Sequence, residues 1–171
     1  PDGSGTVVIP SSWTAVPANA FRGCLSLVHL DMSANSVRHI GEHSFADCAN
    51  LVTVDLGTSV TDIRLEAFLD NHALLSITIP DSVTTMGYKV FKNNRNLRSA
   101  VISPNAVWYT GSLSYHPFVD NSCHRSGVPG GLSMFFAGAN VIDCSQCPAH
   151  PDWAGPAWYY DHSRQLDSHP R

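Results

Sequence analysis

The chain has 171 residues, of which 43% are hydrophobic and 14% are charged, and its formal net charge is −4 at pH 7. This length allows one hydrophobic core and leaves no room for a second domain of ordinary size. No block of Lys and Arg occurs, which argues against a nucleic-acid-binding surface, and no apolar run reaches the roughly 18 residues of a membrane span.

A unit of about 23 residues repeats along the first part of the chain. Four phenylalanines follow one another at intervals of 24, 23 and 23 residues, and a leucine follows each of them six residues later. A repeat of this length is typical of solenoids, in which each unit buries its apolar faces against the next. We therefore predict a buried structural spine made of Phe21, Phe45, Phe68, Phe91, Leu27, Leu51, Leu74 and Leu97.

Each of these leucines opens a short predicted strand. Apolar residues follow the leucine at steps of three and two, as in Leu51, Val54 and Leu56, and the step of two is that of a strand with one face inward. Stacking of the units then aligns these strands in a parallel ladder. The outward positions form a candidate polar contact surface, which comprises His29, Asp31, Thr53, Asp55, Ser76 and Thr78.

The segment from Ile77 to Phe91, ITIPDSVTTMGYKVF, resembles the BspA-like leucine-rich repeat, which reads roughly I-x-I-P-x-x-V-x-x-I-G-x-x-A-F-x-x-C-x-x-L. The resemblance covers residues 6 to about 102 and implies a leucine-rich-repeat solenoid with a parallel β-ladder and short turns or helical turns. It also implies a surface or secreted protein used in adhesion, host contact or surface coats. It implies no enzymatic chemistry and no cofactor.

The position three residues after each phenylalanine departs from this pattern. It is filled by Cys24 and Cys48 in the first two units and by Asn71 and Asn94 in the next two. Because the position faces inward, we expect free buried thiols rather than a disulfide. We expect the two asparagines to form hydrogen bonds with loop backbone, since an unpaired buried amide is costly.

Beyond Ile102 the repeat becomes irregular. Phe118 follows Phe91 by 27 residues, so we predict a fifth, altered coil with an insertion at 108–116. The predicted domains are the solenoid at 1–122, a cysteine-containing cap at 123–147 and a tail rich in proline and aromatic residues at 148–171.

The cap and the tail contain the remaining candidate sites. Cys123 is a candidate disulfide partner of Cys144 or Cys147, which favours an oxidising, extracellular compartment. A zinc site formed by these last two cysteines with histidines of the tail is the alternative. Four tail aromatics are candidate interaction residues that dock on this chain or on a neighbour, namely Trp153, Trp158, Tyr159 and Tyr160.

No sequence motif indicates catalysis. His39 and His43 have the i, i+4 spacing of a helical metal pair, but the repeat places them near core positions, and we expect both on an outer turn. We therefore predict no catalytic, metal or cofactor site. The predicted function is an extracellular binding or adhesion scaffold that contacts a surface receptor or other copies of itself.

A structural subunit of an extracellular coat or filament is the alternative function. In this hypothesis the chains associate through their solenoid ends and tails. It is based on the start of the repeat at Thr6, which no recognisable capping sequence precedes.

Overall fold

The computed structural model describes residues 5–103, 105–107 and 117–118, and the backbone of 141–143. These residues form a β-solenoid of about four coils of about 23 residues each, as predicted. Its strands are β1 (Thr6–Val8), β2 (Ala15–Val16), β3 (His29–Asp31), β4 (His39–Ile40), β5 (Thr53–Asp55), β6 (Asp62–Ile63), β7 (Ser76–Ile79), β8 (Thr85–Met86), β9 (Ser99–Ile102) and β10 (Val141–Asp143).

The predicted strands form the first ladder. Strands β1, β3 and β5 pair in parallel, and so do β7 and β9, always one coil apart. Leu30 in β3 lies directly opposite Val54 in β5, and both point into the core. The alternation of apolar and polar residues, with a period of two, therefore sets the register of this ladder.

A second parallel ladder, which the sequence pattern does not predict, joins β2, β4, β6 and β8. Each of these strands has only two residues, which is too short for a period-two pattern to be visible. The second residue of each strand points into the core, and these residues are Val16, Ile40, Ile63 and Met86.

The phenylalanine turn connects the second ladder to the next copy of the first. The amide of each phenylalanine donates to a carbonyl of the following coil, for example from Phe45 to Ala67 at 2.9 Å and from Phe68 to Val90 at 2.9 Å. The residues two before and two after each phenylalanine have positive φ, between 51° and 69°. These left-handed residues are Asn19, Gly23, His43, Asp47, Glu66, Asp70, Lys89 and Asn93.

The phenylalanine rings form a continuous stack along the solenoid axis. Neighbouring ring centroids from Phe21 to Phe91 are 5.2, 5.2 and 5.3 Å apart, close to the spacing between paired strands. Phe118 continues the stack at 5.1 Å from Phe91, which confirms it as the fifth ring. The four spine leucines lie beside this stack and are fully buried, with at most 2% of their surface exposed.

The position three residues after each phenylalanine forms a polar column inside the core. The side-chain amides of Asn71 and Asn94 donate to the carbonyls of Phe45 and Phe68, each at 3.0 Å, as predicted. The Cys48 thiol makes the equivalent contact with the Phe21 carbonyl at 3.1 Å. Cys24 and Cys48 are free thiols, as predicted, but only Cys48 is buried; Cys24 is half-buried because it lies in the first coil of the described solenoid.

The predicted cap and tail lie almost entirely outside the described residues. This applies to the candidate disulfide of Cys123 with Cys144 or Cys147, and to the four aromatic residues of the tail. Within the described part of the chain, no helix has the length and hydrophobicity that crossing a membrane requires.

Candidate functional site

The outward side of the first ladder has a row of polar residues, which we call the strand face, and the exposed valines Val8 and Val101 lie on the outer strands beside it. The strand face consists of the six predicted outward residues, which are His29, Asp31, Thr53, Asp55, Ser76 and Thr78. The last four of them are exposed, whereas His29 and Asp31 are half-buried. They alternate with core residues, so the packed interior holds their backbone in place.

Side chains of neighbouring coils lie directly opposite one another on the strand face. His29 is the partner of Thr53 in the register, and its Nδ1 lies 2.7 Å from the Thr53 hydroxyl in a hydrogen bond. Asp31 is the partner of Asp55 in the same way. Two carboxylates therefore stand side by side at the ends of β3 and β5.

Each of these carboxylates accepts a hydrogen bond from the turn that follows its strand. Asp31 Oδ1 accepts from the backbone N–H of Ser33 at 2.9 Å and from its hydroxyl at 2.6 Å. Asp55 Oδ1 accepts from the N–H of Gly57 at 2.8 Å. These contacts leave the second oxygen of each carboxylate available and hold the side chains in a defined orientation.

The strand face is acidic. Donation from the Ser33 hydroxyl, followed by donation from the Ser33 backbone, lowers the pKa of Asp31 below its usual value. Strands β1, β3, β5, β7 and β9 contain no Lys or Arg to offset the charge. Like charges directly opposite one another in a sheet repel, so the facing of Asp31 and Asp55 across the two strands does not itself stabilise the fold.

Three other carboxylates on the described solenoid pair with an Arg or a Lys. The closest nitrogen–oxygen distances are 3.1 Å between Arg22 and Asp47, 2.6 Å between Arg64 and Asp62, and 3.8 Å between Lys89 and Glu66. Within the described residues no ion pair involves Asp31 or Asp55. The strand face thus combines two carboxylates without an ion pair in one strand register, whereas Glu42 and Asp81, which also form no ion pair within the described residues, lie outside it.

The two histidines considered for a metal pair occupy separate places. His39 lies on β4 rather than on a turn, and its Nδ1 is 2.6 Å from Asp62. His43 lies in the phenylalanine turn, as expected, with its Nε2 2.8 Å from Glu66. Both carboxylates belong to the next coil, so each histidine links two coils. Among the described residues no group of three or more His, Cys, Asp or Glu side chains is placed to hold a metal ion.

Comparison with known proteins identifies the family to which the repeat belongs. The model of the BspA type leucine rich repeat region matches residues 4–115, with six copies. No curated protein shows a significant similarity to the chain.

Several solved structures of bacterial leucine-rich-repeat proteins resemble the solenoid. A leucine-rich repeat protein of T. pallidum is 32% identical over 60% of this chain and 50% of its own, with a TM-score of 0.57. The pneumococcal vaccine antigen PcpA is 21% identical over 70% of this chain and 31% of its own, also with a TM-score of 0.57.

A leucine rich cell surface protein of Faecalibacterium prausnitzii is 26% identical over 68% of this chain and 30% of its own, with a TM-score of 0.52. The chain therefore spans half or less of the length of these three structures. The family match, which includes every coil described above, shows that the chain belongs to the BspA type leucine-rich-repeat family.

Proposed function

We propose that this chain is a non-enzymatic binding or adhesion scaffold at the cell surface or outside the cell, and that its strand face contacts a protein partner. The family supports the scaffold role, because leucine-rich repeats generally bind proteins. The similarity to a leucine rich cell surface protein of F. prausnitzii supports the location.

The observation on which the proposal depends is the uncompensated pair of Asp31 and Asp55. Their carboxylates are held in place by turn hydrogen bonds and have no cation partner among the described residues. A partner that presents Arg or Lys would remove the repulsion between them and form charge-assisted hydrogen bonds. Since the strand backbone is already ordered by the core, little conformational entropy is lost on binding.

The test begins with capture of a partner from the native cell surface by the intact chain. Binding of the captured protein is then measured for Asp31→Asn and Asp55→Asn, which keep the shape of the side chains and remove their charge. We expect each substitution to weaken binding by about 5- to 30-fold, and the effect to shrink at high salt.

Glu42→Gln is the matched control, because Glu42 is an exposed carboxylate in a phenylalanine turn, away from the strand face. It should leave the affinity unchanged. If the control weakens binding as much as the two strand-face substitutions do, the contact surface lies elsewhere and the proposal fails.

A further inference from the structure

Strand β9 has neighbours of opposite direction on its two edges. On one side it pairs in parallel with β7, from Ser76 opposite Ser99 to Ile79 opposite Ile102. On the other side it pairs with β10 in antiparallel fashion, with Ile142 opposite Ala100. The other strand pairs of the described residues are parallel, so the direction reverses only at this last strand.

The reversed strand occupies the place of the next coil. In each regular coil the strand of the first ladder begins eight residues after the phenylalanine, as Ser99 follows Phe91. Phe118 stacks on Phe91, so a regular fifth coil would begin its strand at residue 126. The strand beside β9 begins instead at residue 141, which is 15 residues later along the chain.

Because β10 takes the place of a regular parallel strand, a further strand can no longer pair with the C-terminal edge of the first ladder. An open β9 edge would offer the same row of N–H and C=O groups that β3 offers to β5, and thus a template for the parallel strand of another molecule. With β10 in place those groups are paired. The new outer edge has only three residues and runs in the wrong direction for a further coil.

We propose that β10 is a terminating strand, which closes the C-terminal edge of the first ladder and prevents strands of other copies of the chain from pairing with β9. The proposal is independent of the strand-face contact, and it argues against the filament hypothesis at this end. It assigns the reversed strand a role in keeping the solenoid from self-assembly, because edge strands that remain open promote association.

The test uses the full chain and a proline at the centre of β10, Ile142→Pro, because proline lacks the N–H and has a fixed φ that paired strands do not accept. Residue-resolved hydrogen exchange is followed for the amides of β9. In the wild type we expect protection of the alternate amides on both edges of β9. In the variant the amides that face β10 should exchange at least about tenfold faster, while those that face β7 stay protected.

The second measurement is the molar mass by light scattering over a range of concentrations. The variant should associate more strongly than the wild type as the concentration rises. Ser163→Pro, which adds a proline beyond β10, is the control and should behave as the wild type does.

The amides that face β7 report whether the variant still folds. If the outer amides of β9 exchange freely in the wild type, β10 does not close the edge, and this result alone overturns the proposal even when the variant is unfolded. Equal masses for a folded Ile142→Pro variant and the wild type at all concentrations overturn it as well.

Discussion

Removal of one buried amide, by Asn94→Ala, tests whether the polar column stabilises the solenoid. The Asn94 side chain is fully buried and joins two neighbouring segments. Its Nδ2 donates to the carbonyl of Phe68 at 3.0 Å, and its Oδ1 accepts from the backbone N–H of Asn71 at 2.6 Å. Alanine fits the space but leaves both backbone groups without this partner.

The expected cost follows from these two backbone groups. A buried donor or acceptor that loses its partner costs about 1–3 kcal/mol, so two of them should lower the free energy of unfolding by about 2–6 kcal/mol. Asn94→Cys should cost less, because the thiol of Cys48 already donates to a phenylalanine carbonyl in the same column. It should still cost more than zero, because a thiol is a weak acceptor for the Asn71 amide.

The chain offers a matched control two residues away. Asn96 also donates its side-chain amide to a backbone carbonyl, that of His72 at 2.8 Å, but it is exposed, so water can replace the lost bond. Asn96→Ala should therefore cost less than about 1 kcal/mol. Urea unfolding followed by circular dichroism measures both variants. If they are equally stable, burial of the polar column has no energetic role and the reasoning is refuted.

Two further predictions concern the close packing of the coils. A Cβ at Gly87 would lie 2.7 Å from the Leu65 nitrogen, so Gly87→Ala should lower the free energy of unfolding by about 1–3 kcal/mol. Arg64 has the equivalent place in the preceding coil, four residues before Phe68, and Arg64→Ala should cost less than about 1 kcal/mol. Equal losses in urea unfolding would contradict this prediction. Burial raises the pKa of Cys48 to about 11, so iodoacetamide at pH 8 should modify it far more slowly than the half-buried Cys24, as measured by peptide mapping. The stability that depends on this protonated thiol is present below about pH 9 and is lost as the pH rises towards 11, and Cys48→Ala should remove that loss.

The regular coils could be predicted because the same position of each coil buries a side chain of the same size and shape. Phe45 and Phe68 stack on copies of themselves, so the same residue type recurs at a fixed interval and becomes visible in the sequence. The left-handed positions have a weaker signal. Gly23, Asp47 and Asn93 belong to residue types that tolerate positive φ, and this column could have been recognised. Glu66, which shares that conformation, belongs to no such type.

The strand face was predicted as a set of outward residues, but its electrostatic character was not. The sequence shows where Asp31 and Asp55 lie in the repeat, and the period of two places them outward. Whether a carboxylate has a cation partner depends on contacts between coils, such as that of Arg22 with Asp47. These residues are 25 apart in the chain and meet only after the coils have stacked.

The solenoid, its period, its phenylalanine and leucine spine and the outward face of the first ladder could all be predicted from the sequence, because every coil buries the same residue types at the same positions. The second ladder, the pairing of charges between coils and the reversal at β10 became visible only in the folded chain. The two-residue strands of the second ladder are too short to show a period-two pattern, and the direction of β10 is set by the edge of β9 with which it pairs.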